Sequence, residues 1–194
     1  MSGVLPGTAI SPFVAEWLPR VAAAVGVNGR PRRALDLAMG EGRHALPIAR
    51  AGFMTFGVDR AVERVRLARR LACTAGVAVQ AWAADLDTYP LPVERFDLLF
   101  CTRFLLRERW DDLKNAVTPG GFVMYETFTI HQVRFGRGPS SPDHLLHPGE
   151  LAAAFADWDI LFSEEAAAPA AMARLVARKP DAARRASIDP VCRS

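Results

Sequence analysis

Ala34-Leu35-Asp36-Leu37-Ala38-Met39-Gly40-Glu41-Gly42 decides the fold. The first six residues form an apolar run of strand length, interrupted by one acid. Gly40-Glu41-Gly42 then breaks the run, as a tight turn requires. Residues 43–51 resume with helical spacing and stop at Gly52. A strand that turns sharply into a helix lets a ligand approach its backbone. Glycine permits that approach because it has no Cβ, and the first N–H groups of the helix are free to bind.

The same alternation continues along the chain. Strands are expected at 54–58, 77–84, 96–101 and 122–128, and helices at 61–74, 108–117 and 148–156. The strands are apolar almost throughout, as burial on both faces demands. Strands alternating with helices predict a mostly parallel sheet covered on both sides, an α/β Rossmann-like fold. Residues 160–162 and 173–177 form two further strands with no helix-length segment between them. They are expected as an antiparallel hairpin at one edge, since parallel neighbours need a crossover. The expected organisation is one domain over 1–179, with an N-terminal helical cap at 1–31, a substrate-side loop at 129–147 and a flexible tail at 180–194.

Composition excludes several classes. With 194 residues, half of them apolar, the chain can fill one core. The net charge is only +3. The one basic run, Arg64 to Arg70, spreads around a helix without interleaved aromatics, so it reads as a solvated face rather than a nucleic-acid surface. Cys73, Cys101 and Cys192 make no CxxC pair, which argues against zinc and fits reduced thiols. No apolar run reaches the roughly 18 residues of a membrane span, and the N-terminus lacks the pattern of a secretory leader. A cytoplasmic protein, monomeric or homodimeric, is expected.

Three acids end three consecutive strands or their turns. Asp36 lies inside the first, Asp59 ends the second and Asp85 follows the third. Ligands in open α/β sheets bind at these carboxyl ends. Asp59 is placed to accept both hydroxyls of a ribose, because a carboxylate has two oxygens for two donors. Asp85 is placed to accept from an adenine amino group, with the Leu86 N–H beside it. Gly40 to Ala45 also fits the dinucleotide pattern G-x-G-x-x-A. Asp36 and Glu41 would repel a pyrophosphate, however, and they suit a ligand carrying an ammonium and a sulfonium.

Together with Phe96-Asp97-Leu98-Leu99 and Thr118-Pro119-Gly120-Gly121-Phe122, these stretches resemble the class I S-adenosylmethionine-dependent methyltransferases. Tyr125-Glu126-Thr127-Phe128 and residues 138–151 look more narrowly like a bacterial subgroup akin to the tellurite-resistance and thiopurine methyltransferases. The resemblance implies a seven-stranded sheet with the C-terminal hairpin, S-adenosylmethionine as cofactor and S-adenosylhomocysteine as product. It implies that Asp36, Ala38, Gly40 and Gly42 line the methionine end, with Arg43 toward the carboxylate. Asp59 would hold the ribose and Asp85 with Leu86 the adenine, and Arg60 is expected among the cofactor-binding residues. The Cys101 carbonyl would accept from the ammonium. Ala38 stands where the family has the first glycine of the turn, which an alanine tolerates if its φ is negative.

The acceptor is expected over the strand ends, among Phe13, Trp17, Arg103, Phe104, Tyr125 and His131. Glu126, near the end of the fifth strand, is the candidate general base. The alternative for Glu126 is an anchoring carboxylate held by loop N–H groups or by Arg134 and Arg137. His131, His144 and His147 do not form a helix-face metal pair, and no metal is expected. The expected function is methyl transfer to a small molecule. The alternatives are an RNA or protein methyltransferase and a non-catalytic adenosyl- or dinucleotide-binding protein.

Overall fold

The computed structural model describes residues 10–26 and 29–181. Cys192 and most of the expected tail lie outside the described residues, as does the start of the N-terminal cap. Seven strands form one sheet in the order β3-β2-β1-β4-β5-β7-β6. They are β1 (Arg33–Leu37), β2 (Met54–Asp59), β3 (Val79–Ala83), β4 (Phe96–Thr102), β5 (Val117–Phe128), β6 (Asp159–Ala166) and β7 (Met172–Arg178). The first five are mutually parallel, and β7 runs antiparallel to both β5 and β6. This is the expected fold, hairpin included. Because β1 is flanked by β2 and β4, the chain reverses its direction of winding there, and a crevice opens at the carboxyl ends.

Residues Phe96 to Cys101 of β4 are all buried, because helices cover both faces. On one face α1 (Pro12–Ala24) lays Phe13, Val14, Leu18, Val21 and Ala22 over Leu98, Phe100, Phe122 and Met124. On the other, α4 (Trp110–Ala116) and α5 (Glu150–Ala154) cover Leu99, Val123 and Leu175. The remaining helices are α2 (Ala45–Arg50) and α3 (Val62–Thr74). Among the described residues, no helix is long and apolar enough to cross a membrane.

Several boundaries differ from the sequence reading. α2 begins at Ala45 because residues 40–44 are used by the turn. β5 begins at Val117 rather than 122. Its Pro119-Gly120-Gly121 segment does not end pairing, because the Gly120 N–H donates to the Lys179 carbonyl and the Lys179 N–H to that of Gly121. β6 spans eight residues where three were expected. As an edge strand it leaves most side chains exposed, so polar residues dilute its apolar signal.

Residues 129–147 are a structured excursion. Thr129 bridges to Leu146, and two 3-10 turns lie between them. The buried Gln132 amide holds both sides, accepting from the Ala171 N–H and donating to the Arg137 carbonyl. Arg107 donates to the carbonyls of Pro142, Asp143 and Leu145 and pairs with Glu150.

Candidate active site

The turn after β1 is built around Asp59. Its carboxylate accepts from the Gly40 N–H at 2.8 Å and from the Ala61 N–H at 2.9 Å, one bond to each oxygen. Asp59 is thereby fixed at the end of β2 with acceptor capacity to spare, since an ionised carboxylate offers about four lone-pair sites. The Gly40 N–H is thus already engaged by a carboxylate, and a pyrophosphate would have to displace it. Gly42 (φ +81) lies where a Cβ would stand 3.1 Å from that of Ala68 on α3. Helix and turn therefore pack closer there than another residue would allow.

Asp36 is buried, and burial raises its carboxyl well above the usual carboxylate range, against the lowering effect of Arg43 and the Ala45 N–H. Its Oδ2 has no partner. A buried unsatisfied carboxylate oxygen is costly, and it sits in the strand that feeds the turn. Past the end of that strand a cleft of about 360 Å3 opens between Ala38, Gly40, Arg43, Arg64, Thr102 and Arg103, while Asp36 itself is buried behind it in β1.

Two residues of this cleft carry left-handed backbones that favour glycine: Ala38 at φ +50 and Arg103 at φ +54. The condition under which alanine fits freely at 38 is thus not met. A non-glycine residue in this region costs about 1–2 kcal/mol, and such residues cluster at functional sites when their surroundings hold them. Arg103 is held by its N–H, which donates to the Glu126 carbonyl at 2.7 Å. Its guanidinium lies 6.0 Å over the ring of Phe128.

His44 joins the cleft to α1. The Ser11 N–H donates to its Nε2 at 3.4 Å, and its Nδ1 lies 3.2 Å from the Thr102 hydroxyl. Burial, with Arg43 and Arg103 nearby, lowers the imidazole to about 3, so it is neutral near pH 7.

Other expected site residues are not part of this cleft's lining. Asp85 is exposed after β3 and accepts from the Asp87 N–H, while Leu86 is buried and its carbonyl accepts from Arg109. Arg60 is exposed at the end of β2. The Cys101 thiol is buried and pushed up to about 12. Tyr125 is corrected by its burial. It is fully enclosed on the face opposite Glu126 and donates its hydroxyl to the Phe104 carbonyl, so it lines no acceptor site. Phe13 and Trp17 pack against Phe162 of β6 rather than on the cleft, and His131 is exposed on the excursion.

Glu126 is buried. Its Oε2 accepts from Arg174 Nε at 2.7 Å and from the Ser11 hydroxyl at 3.0 Å. Arg134 and Arg137 instead bond the carbonyls of Ala167 and Pro169. Sequence reasoning missed Arg174, Thr102 and Arg64 as neighbours of the site. Thr102 had a legible signal, its position at the end of a central strand. The pairing of Arg174 with Glu126 follows only from the β5–β7 register.

A family model described as a methyltransferase domain matches residues 34–121, from β1 into the first part of β5. The ubiquinone biosynthesis O-methyltransferase of Bordetella avium is 27% identical, over 76% of this chain and 68% of its own length. Residues 34–121 thus match a methyltransferase domain, and the chain is similar to class I S-adenosylmethionine-dependent methyltransferases. Solved structures agree on the fold. TehB from Haemophilus influenzae superposes with a TM-score of 0.71 at 19% identity, covering 90% of this chain. The chain spans only 64% of TehB's length. A methyltransferase from Mesorhizobium loti superposes with a TM-score of 0.64 at 19% identity, over 85% of this chain and 98% of its own.

Proposed function

We propose that the cleft at the ends of β1, β2 and β4 binds S-adenosylmethionine, and that the enzyme passes its methyl group to a small-molecule acceptor in the cytoplasm. The observation that carries this reading is the unpartnered buried Oδ2 of Asp36 beside the glycine turn. An ammonium placed near it supplies the missing donor and positive charge, so the residues present fit this cofactor. When bound, the cofactor supplies an already activated methyl on a sulfonium, leaving S-adenosylhomocysteine after transfer.

The protein's part is positioning. Asp59, fixed by Gly40 and Ala61, retains lone pairs for two ribose hydroxyls. Asp85 and the Leu86 N–H are assigned to the adenine edge, and Arg43 to the cofactor carboxylate. The acceptor is read as a small molecule that enters beside the cofactor. The O-methyltransferase relative supports the same substrate class.

Calorimetry with S-adenosylmethionine, S-adenosylhomocysteine and NADH tests the reading. Tight binding of the adenosyl ligands and none of NADH is expected. In a folded Asp59→Ala protein the adenosyl affinity falls by about 1.5–3 kcal/mol, the scale for hydrogen bonds to a charged group. Unchanged affinity would displace the ribose from Asp59.

A further inference from the structure

The cleft carries more positive charge than the proposed cofactor uses. Arg43, Arg64 and Arg103 line it with a single acid, Glu41. S-adenosylmethionine brings one carboxylate against an ammonium and a sulfonium, so it arrives with net positive charge. One arginine suffices for its carboxylate. Of the nearby buried acids, Asp36 is the partner left for the ammonium, Asp59 is held by the Gly40 and Ala61 N–H groups, and Glu126 is held by Arg174. Guanidinium charge therefore remains uncompensated, and complementary charge is what selects a ligand there.

Arg103 stands where that charge matters. It follows β4 directly, and its guanidinium lies over Phe128 at the end of β5. Its left-handed backbone is held in place by the Glu126 carbonyl. Thr102, beside it, is oriented by His44. Because Nε2 of His44 accepts from the Ser11 N–H, the neutral ring carries its proton on Nδ1 and donates it to the Thr102 hydroxyl. Having accepted there, the hydroxyl keeps its own proton for a ligand in the cleft.

We propose that Arg103 and Thr102 form a carboxylate subsite, so that the methyl acceptor is a small organic acid gripped by its carboxylate while another atom takes the methyl. The inference rests on reading this cleft as the cofactor site. Two donor groups lining one cleft, one of them a charged fork, match the two oxygens of a carboxylate. With a thiolate acceptor, the new S–CH3 bond forms as the sulfonium S–CH3 bond breaks, and no proton has to be removed.

The test uses the full chain and a matched pair of probes, 4-mercaptobenzoate and 4-mercaptobenzamide. Methyl transfer to each is followed at mildly alkaline pH. Binding of each to protein saturated with S-adenosylhomocysteine is measured by calorimetry. Wild type is expected to favour the acid by about tenfold or more in kcat/KM and in ternary affinity, as a charge-assisted contact implies. Arg103→Met should abolish that preference through KM, the acid losing about tenfold more than the amide. Arg103→Lys, which keeps charge without the fork, should restore part of it. Equal treatment of acid and amide by wild type overturns the subsite, and so does an equal loss for both in Arg103→Met. If S-adenosylhomocysteine binds but neither probe binds nor reacts, the subsite also fails while the cofactor reading stands. If S-adenosylhomocysteine itself does not bind, the cofactor reading falls and the subsite with it.

Discussion

Arg174 donates from Nε to Oε2 of Glu126 across 2.7 Å, tying β7 to β5 at the carboxyl end of the sheet. The Ser11 hydroxyl closes on the same oxygen, so one carboxylate fastens the hairpin and the entrance to α1. A buried glutamate held this way is an anchor, and to act as a base it would have to leave the pair.

Glu126→Gln is therefore expected to destabilise the fold by about 1–3 kcal/mol, because a charged hydrogen bond is replaced by a neutral one. Turnover at saturation should change by less than about threefold. Urea denaturation alongside kcat at several pH values checks both. A fall in kcat of about 10²-fold or more with stability intact is the signature of a lost general base and would return Glu126 to catalysis.

His44 sets an acid limit on stability. The unfolded chain takes up a proton near 6.5, while burial beside Arg43 and Arg103 keeps the folded ring unprotonated down to about 3. The unfolded state binds more protons throughout that window, so stability is full above pH 6.5 and declines as pH falls toward 3. In His44→Gln the slope of unfolding free energy against pH should flatten by up to one proton. An unchanged slope between pH 6.5 and 4.5 would show that the imidazole titrates normally in the fold.

Ala38 is strained at φ +50. Ala38→Gly should relieve that strain and raise stability by about 0.5–1 kcal/mol, less the backbone entropy that glycine adds to the unfolded chain. Thermal denaturation is the measurement, and a lower Tm would mean that the methyl makes contacts worth more than the strain.

Arg107 is the hub of the 129–147 excursion. Arg107→Met removes bonds to three loop carbonyls and to Glu150, and should cost about 2–3 kcal/mol given their charged character. Hydrogen exchange should quicken at residues 142–147. The hydrogen bond from Arg107 holds Glu150 below its ordinary 4.5. The stabilisation from that pair is complete above about pH 5 and is lost as pH falls through the lower folded value. The stability gap between wild type and Glu150→Gln should accordingly close in acid. A gap independent of pH would deny the pair its electrostatic part.

The sequence alone determined the sheet and the place of its crevice. Apolar runs at strand length, helical spacing between them and Gly40-Glu41-Gly42 after the first strand are local signals, and local signals fix element type and order. They also put Asp36 within the first strand, Asp59 at the end of the second and Asp85 just past the third, because each position is read from the strand's own local run. Partnerships across the sheet were decided only by tertiary structure. Glu126 meets Arg174 through the β5–β7 register, and Tyr125 turns inward because neighbours on a strand face opposite sides. His44 is neutral because burial beside Arg43 and Arg103 disfavours its charge, and Arg103 is held at the cleft by a carbonyl on the neighbouring strand. Burial, register and the sign of φ belong to the packed chain, where residues about 50 to 115 positions apart set one another's chemistry.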